Sequence, residues 1–385
     1  MDPILQLLDG IIDGIRPNED GQTAQYIPEL AAADPDLFAL AIVGPRGAVL
    51  AVGDDHAQFS IQSVSKPFVL ALALSHLGRE EVFARVGVEP SGEPFNAISL
   101  EPSTGRPANP LVNAGAIATT ALLPGEGIDG RTASIVEGLS RFAGRSLWID
   151  EQVYRSESET GHRNRALGHL MRSYDIISGD VDEALEVYFR QCSVLVTVRD
   201  LAVMAATLAF GGRNPTTGVQ VVSPQVARDV VSVMSSCGMY DFSGEWLLRV
   251  GLPAKSGVSG GLLAVAPSQF GVGVFSPRLD AHGNSVRARA ALERLSNDFE
   301  MHLLESHAGI AEPTIRLERI GGETVVHLGG ELGISGVERV IAVVSELSDA
   351  ERITIDGTEL ARTHPAVLVV LRTQLGETDR VRIVG

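Results

Sequence analysis

Apolar residues recur at helical spacing from the start of the chain. Ile4, Leu5, Leu8, Ile11, Ile12 and Ile15 predict an opening helix that Arg16-Pro17-Asn18 ends. Tyr26-Ile27-Pro28-Glu29-Leu30 starts a second helical segment, so residues 1–34 read as helix, turn, helix. Residues 38–43 and 48–52 are apolar runs parted by Gly44-Pro45-Arg46-Gly47, a hairpin pattern. Residues 68–74 are unbroken apolar sequence and predict the first long buried helix, opened by Gln62-Ser63-Val64-Ser65-Lys66. From 77 to 240 the pattern is mostly helical, with polar loops expected at 105–116 and 155–165. Residues 201–210 predict a buried helix closed by Gly211-Gly212, which suit a left-handed cap. Short apolar runs at 247–250, 261–266 and 271–275 read as strands, and 286–304 as a closing helix. Strands at both ends and helices between them predict one largely antiparallel sheet with a helical lobe inserted.

Around 306–313 the composition shifts to a linker. Beyond it the pattern reads strand (315–317), strand (324–328), helix (337–347), strand (353–355), helix (365–375) and strand (381–384). Val337, Val340, Ile341, Val344 and Leu347 form one apolar stripe on the first of these helices. The chain of 385 residues exceeds what one core usually holds. The expected division is a domain over 1–305, a linker over 306–313 and a small α/β domain over 314–385. There is no internal repeat and no low-complexity segment.

Composition narrows the function. Apolar residues make up 44% and charged residues 21%, ordinary for a globular protein. A net charge of −17 disfavours nucleic acid and anionic membrane surfaces as partners. Cys192 and Cys237 stand in no metal or redox spacing and read as packing residues in a reducing compartment. The N-terminus lacks the basic stretch and cleavage site of a secretory signal, and 68–74 is too short to span a bilayer, so a cytoplasmic protein is expected. The nine histidines form no His-Glu-x-x-His or comparable set, so no metal and no cofactor are expected.

The candidate chemistry lies at Ser63 and Lys66, three residues apart and so on one helix face. A serine hydroxyl becomes a nucleophile when a base takes its proton, and a desolvated lysine amine can be that base. Of the 31 basic residues only Lys66 and Lys255 are lysine, and arginine does not give up its proton at working pH. The second lysine opens Lys255-Ser256-Gly257. Ser-x-x-Lys with a downstream Lys-[Ser/Thr]-Gly is the pairing of penicillin-recognising serine acyl-transfer enzymes. Without a side chain, Gly257 would let a substrate carbonyl lie against the strand. The Ser63 and Val258 N–H groups could then form an oxyanion hole, in which one donor is typically worth about 3 kcal/mol. The segment 257–261 has no Gly-Lys-[Ser/Thr] ending and is not a phosphate loop.

Beyond these two motifs, roughly residues 20–290 resemble the serine-dependent glutaminases, the kidney-type and liver-type enzymes and their bacterial relatives. The resemblance is carried by Tyr26-Ile27-Pro28-Glu29-Leu30, by Gln62 to Lys66, by Asn109-Pro110-Leu111-Val112-Asn113-Ala114-Gly115, by Ser156-Glu157-Ser158-Glu159-Thr160-Gly161-His162-Arg163-Asn164, by Tyr188-Phe189-Arg190-Gln191-Cys192-Ser193, by Ser236-Cys237-Gly238-Met239-Tyr240 and by Ala254-Lys255-Ser256-Gly257-Val258. It implies a β-lactamase-like or penicillin-binding-protein-like catalytic domain that hydrolyses L-glutamine to L-glutamate and ammonia. Ser63 is then the acylated nucleophile and Lys66 its base, with backbone donors at Ser63 and Val258. Tyr26, Gln62, Asn113, Glu157, Asn164, Tyr188 and Tyr240 line the substrate pocket, and Tyr240 relays a proton beside Lys66. A carboxylate for the substrate ammonium and neutral donors for its carboxylate suit a free amino acid. A register shift of two would replace Glu157 by Glu159. The family also implies a homo-oligomer, dimer or tetramer.

The tail resembles a STAS domain, the fold of anti-sigma-factor antagonists and sulfate-transporter tails, through 324–332 with the Val337 helix and Ile353-Thr354-Ile355-Asp356 before a Pro365 helix. Phosphorylation-switched members carry Ser or Thr at the start of that last helix, where this chain offers Thr363. A protein or small-ligand partner of the tail, or a structural or dimerising role, follows from the resemblance. Two other readings of the chain are a different acyl-transfer enzyme of the same fold (a penicillin-recognising peptidase, β-lactamase or esterase), and an interaction protein with a vestigial catalytic fold.

Overall fold

The computed structural model describes residues 3–93, 98, 100–299, 301–304, 314–347, 352–363, 367, 370–372, 375 and 380–384. Two compact units emerge, Ile11–Glu293 and a second made of Met1–Gly10 with Arg294–Gly385. The first helix, α1 (Pro3–Ile15), buries Ile4, Leu8, Ile11 and Ile12, as their spacing predicts. The second expected helix is a single turn, α2 (Pro28–Ala31), with Pro28 in its first turn.

In the larger unit, β1 (Ala39–Val43) and β2 (Val49–Gly53) form the predicted hairpin, in register from Ala39 opposite Gly53 to Val43 opposite Val49. A two-residue strand β3 (Phe59–Ser60) pairs antiparallel with β4 (Leu195–Val196). The late strands are β5 (Ala254–Ser256), β6 (Gly261–Ala266) and β7 (Phe270–Phe275). Their sheet runs β2-β1-β7-β6-β5, and every pairing in it is antiparallel. The sheet is therefore assembled from both ends of this region, as the pattern predicts.

Between those ends lie α3 (Lys66–Arg85), α4 (Asn113–Ala121), α5 (Gly127–Ala143), α6 (Glu151–Thr160), α7 (His162–Ser173), α8 (Val181–Cys192), α9 (Val198–Ala209), α10 (Pro224–Cys237) and α11 (Ser243–Arg249). Then α12 (Val286–Asp298) follows the sheet, ending short of the expected residue 304. The helix over 201–210 is present as α9, started by a reciprocal Thr197/Asp200 capping box and ended by Gly211 and Gly212 at φ 64° and 81°. Helix α9 lies directly on β7. A Cβ at Gly271 would sit 1.9 Å from the Ala206 nitrogen, and one at Gly273 2.5 Å from the Val198 oxygen. Glycine on the strand and alanine on the helix let the two backbones approach. Around them Phe68, Leu70, Phe142, Leu201, Met204 and Leu263 make one buried core, each large side chain worth about 1.5–3 kcal/mol in transfer from water. A second core, with Ile117, Leu167, Met171, Leu185 and Phe189, joins α4, α7 and α8.

Three expectations are corrected. Residues 247–250 form the end of α11 and its cap instead of a strand, and of their apolar side chains only Val250 is buried. Leu248 is 79% exposed, whereas the anchoring residue of the helix is Trp246, whose indole N–H donates to the Leu252 carbonyl at 2.6 Å. Residues 155–165 fall in α6 and α7, not in a loop. Helix α6 starts at Asp150, whose carboxylate accepts the Gln152 and Val153 N–H groups, and it buries only Val153 and Glu157, too narrow a stripe to show as periodicity. Finally, 62–74 is not one helix. Gln62–Ser65 is a 3-10 turn before α3, and Gly78, at φ 81°, breaks α3 itself.

The second unit contains β8 (Thr314–Ile320), β9 (Glu323–Leu332), α13 (Ile334–Glu346), β10 (Arg352–Thr363) and β11 (Val381–Val384). The sheet order is β11-β10-β9-β8, antiparallel between β8 and β9 and parallel across β9, β10 and β11. The backbone of Thr363 pairs with Leu332 at the end of β10. Most of the expected helix over 365–375 lies outside the described residues.

Candidate active site

Ser63 and Lys66 sit where the 3-10 turn meets α3, and both are buried. The turn is held in an unusual shape. Gln62 has φ 48°, a left-handed conformation that costs of order 1 kcal/mol or more for a residue with a side chain. Ser65 Oγ donates back to the Gln62 carbonyl at 2.7 Å and accepts Gln191 Nε2 at 2.9 Å, while Thr120 Oγ1 donates to Gln191 Oε1 at 2.8 Å. One buried chain of hydrogen bonds thus braces the turn from α8 and α4.

Tyr240 approaches from the end of α10, in a second 3-10 turn, Tyr240–Phe242, again with a left-handed residue at φ 58°. Gly238 makes the approach possible, since a Cβ there would meet the Ala254 carbonyl at 1.7 Å. The phenol hydrogen-bonds with the Ser63 side chain and donates to the Ser256 carbonyl at 3.2 Å. Lys255 Nζ donates to that same carbonyl at 2.6 Å and lies 4.0 Å from the Tyr240 ring centroid. Ser256 turns its hydroxyl to Asn284 Oδ1 at 2.5 Å. Gly257, directly after β5, stands close to the Gln62–Ser65 turn. A Cβ there would meet Val64 Cγ2 at 3.0 Å and the Ile61 carbonyl at 3.2 Å, so its missing side chain lets β5 close on the nucleophile turn. Val258 packs with Ile27, Leu30 and Val153.

The helical lobe supplies the rest. Asn113 opens α4, and its Oδ1 accepts Lys66 Nζ at 2.7 Å and the Tyr188 hydroxyl at 3.5 Å. Its Nδ2 donates to Asn164 Oδ1 at 3.0 Å. On α6, Glu157 Oε1 accepts the Tyr26 hydroxyl at 2.7 Å and Gln62 Nε2 at 2.9 Å. Glu157 is buried and Glu159 exposed, so of the two it is Glu157 that lies with Tyr26 and Gln62. Asn164 and Glu157, expected in loops, are helical residues on α7 and α6.

Burial sets the charge states. It lowers Lys66 to about 8, against the pull of nearby acidic groups including Glu157. It holds Lys255 well below the ordinary lysine range, and the charge of Lys66 pushes the same way. Glu157 is raised by burial against hydrogen bonds from Tyr26 and Gln62 that favour its anion. Burial raises Tyr240 to about 12, so this phenol is protonated at neutral pH. Cys192 is likewise pushed by burial to about 12 and is no thiolate. Among the described residues no group of His, Cys, Asp and Glu could hold a metal.

Gln191, Thr120 and Asn284 were not expected in the site. Gln191 stands in the motif that carries Tyr188, and a glutamine buried on α8 demands partners. Nothing in the pattern marks Asn284. The arrangement unites a buried hydroxyl, a lysine able to lose its proton near neutral pH and a protonated phenol, beside a cradle holding one carboxylate and two amides.

Comparison with known proteins defines the class, an amidohydrolase. The family model for glutaminase matches residues 21–304. Glutaminase 2 of Bradyrhizobium diazoefficiens is 52% identical over 310 residues, covering 80% of this chain but only 49% of that relative's length. The glutaminase of Corynebacterium glutamicum is 40% identical over 386 residues, covering 100% of this chain and 92% of its own. The crystal structure of Mglu in its glutamate form superposes with a TM-score of 0.78 at 38% identity, covering 100% of this chain and 98% of that one. The chain belongs to the glutaminase family.

Proposed function

We propose that this protein hydrolyses the side-chain carboxamide of L-glutamine to L-glutamate and ammonia through an acyl-enzyme on Ser63, with Lys66 as the base. The observation that carries the reading is the buried Lys66, held by Asn113 and lowered by burial to about 8, one turn from the buried Ser63. Neutral Lys66 takes the Ser63 proton as Oγ bonds to the amide carbon. The oxyanion rests on the Ser63 and Val258 N–H groups. Collapse breaks the C–N bond, and the proton taken up by Lys66 returns to the leaving nitrogen, so ammonia departs neutral. Water then adds to the ester by the same route, and Ser63 recovers its proton. Tyr240, protonated at neutral pH and in contact with both Ser63 and the Ser256 carbonyl, serves as a relay and not as the base.

In the cradle, Glu157, held by the Tyr26 hydroxyl, faces the substrate ammonium, and Asn113, Asn164 and Tyr188 face its carboxylate. A relative captured in a glutamate form supports product binding of this kind. We further assign the protein to the cytoplasm as a dimer or tetramer, with a STAS-like tail in a regulatory or assembly role. No described helix is long and apolar enough to cross a membrane. The test is ammonia release from L-glutamine and L-asparagine by wild type and Ser63→Ala. Glutamine turnover lost in Ser63→Ala supports the reading, and an inactive wild type defeats it.

A further inference from the structure

Behind the cradle, and outside every residue assigned above, Glu186 gathers the three helices that carry Glu157, Asn164 and Tyr188. On α6, the Tyr154 hydroxyl donates to Glu186 Oε2 at 2.7 Å and Ser158 Oγ donates to Oε1 at 3.0 Å. From α7, Arg165 Nη2 donates to Glu186 Oε1 at 2.8 Å, to Ser158 Oγ at 2.9 Å and to the Ser158 carbonyl at 3.2 Å. The same guanidinium lies 5.1 Å from the Phe189 ring centroid on α8. Apart from Tyr154, three positions before Glu157, these residues stand next to or near a cradle residue in sequence. Ser158 follows Glu157, Arg165 follows Asn164, Phe189 follows Tyr188, and Glu186 lies half a turn before Tyr188.

We propose that Glu186 is a positioning residue for substrate recognition, acting through Ser158 and Arg165 to fix the separation of the Glu157 carboxylate from the Asn164 amide. A free amino acid presents its ammonium and carboxylate at a fixed spacing, so the two groups that receive them must keep theirs. Helices α6 and α7 meet at Gly161, where a Cβ would lie 2.3 Å from Phe189 Cζ. Beyond that junction, the Glu186 carboxylate ties them by side-chain contacts to both at once. The carboxylate is partly buried, which opposes its charge, yet the Tyr154, Arg165 and Ser158 hydrogen bonds prevail and hold it below the ordinary range. It is thus an anion throughout the working pH range. Its contacts lie away from Ser63, Lys66 and Tyr240, so the chemical step is spared.

This inference rests on the assignment of Glu157 and Asn164 as substrate contacts. The test is Glu186→Gln in the full chain, assayed with L-glutamine and, independently of turnover, titrated with L-glutamate by calorimetry. The expected result is a KM and a glutamate Kd each raised about tenfold, with kcat within about twofold of wild type. Tyr154→Phe and Ser158→Ala, which remove one donor each, should raise both constants by smaller factors and keep the proposal testable if Glu186→Gln does not fold. Glu186→Asp, which keeps the charge, should recover part of the loss. Folded variants whose KM and Kd match wild type overturn the proposal, as does a fall in kcat that tracks a fall in melting temperature at constant KM. A wild type that binds glutamate without turning over glutamine would defeat the catalytic reading alone, since the calorimetric comparison would still decide the role of Glu186.

Discussion

The Tyr26 hydroxyl and the Glu157 carboxylate, 131 positions apart in sequence, meet at 2.7 Å. The contact joins the loop before α2 to α6 and leaves the carboxylate buried, with Gln62 as its second donor. Replacing Glu157 by Gln keeps the shape and removes the charge that the proposed reading sets against the substrate ammonium. KM for L-glutamine should rise about a hundredfold, as for loss of a partly desolvated ion pair, with a smaller effect on kcat. Tyr26→Phe should raise KM several-fold at most. Steady-state kinetics of the two variants checks both.

With Lys66 as the proposed base, the reaction should depend on pH. Its folded-state value of about 8 lies below the ordinary lysine value of 10.5, so below about pH 8 the amine is charged and cannot accept the Ser63 proton. Activity should therefore rise with pH through about 8 and level off above it. Lys66→Arg keeps the charge but not the ability to lose it, and should abolish turnover at every pH. A pH profile of kcat, with the variant beside wild type, is the measurement. A flat profile between pH 6 and 9, values chosen to bracket the lysine, would exclude Lys66 as the base.

Lys255 and Tyr240 share the Ser256 carbonyl as acceptor. Tyr240→Phe should lower kcat by about 10²–10⁴, the usual range for a proton-transfer group, and leave KM nearly unchanged. Lys255→Met removes one donor to that carbonyl and the contact with the ring. It should lower kcat by a smaller factor. Measured kcat values that fall in the opposite order would place the relay on Lys255.

Close approach of backbones makes the fold sensitive at glycine. Gly271→Ala would set a methyl 1.9 Å from the Ala206 nitrogen and force α9 off β7, costing about 3 kcal/mol or more. Gly244→Ala, in α11 with nothing within 4 Å, should be neutral or stabilise by up to about 1 kcal/mol through helix propensity. Chemical denaturation of both variants separates the two cases.

Much of this was legible in the sequence because it rests on period and spacing. The two-ended antiparallel sheet, the β1–β2 hairpin and the buried α9 follow from apolar runs and the glycines that end them. The Ser63–Lys66 site stands out because lysine occurs at only two positions. What was not legible depends on tertiary contact. Helix α6 buries one valine and one glutamate, so its sequence reads as a charged loop until Asp150 is seen capping it. Leu247 and Leu248 look like strand residues because an exposed leucine cannot be told from a buried one in sequence. The close approach of Gly257 to Val64 and the Ile61 carbonyl joins segments almost 200 positions apart, which no local pattern shows. Asn284 and Gln191 matter through side chains that reach distant elements, which no local pattern records.

The central claim is that catalysis passes through an ester on Ser63. Acid quenching of wild type during turnover of L-glutamine, followed by mass analysis of the peptide containing Gln62 to Ser65, tests it directly. The account predicts a glutamyl adduct on Ser63 during turnover, absent in Ser63→Ala, which should also release no ammonia above background. Glutamine hydrolysis retained by Ser63→Ala, or an adduct found on a different residue, would contradict it.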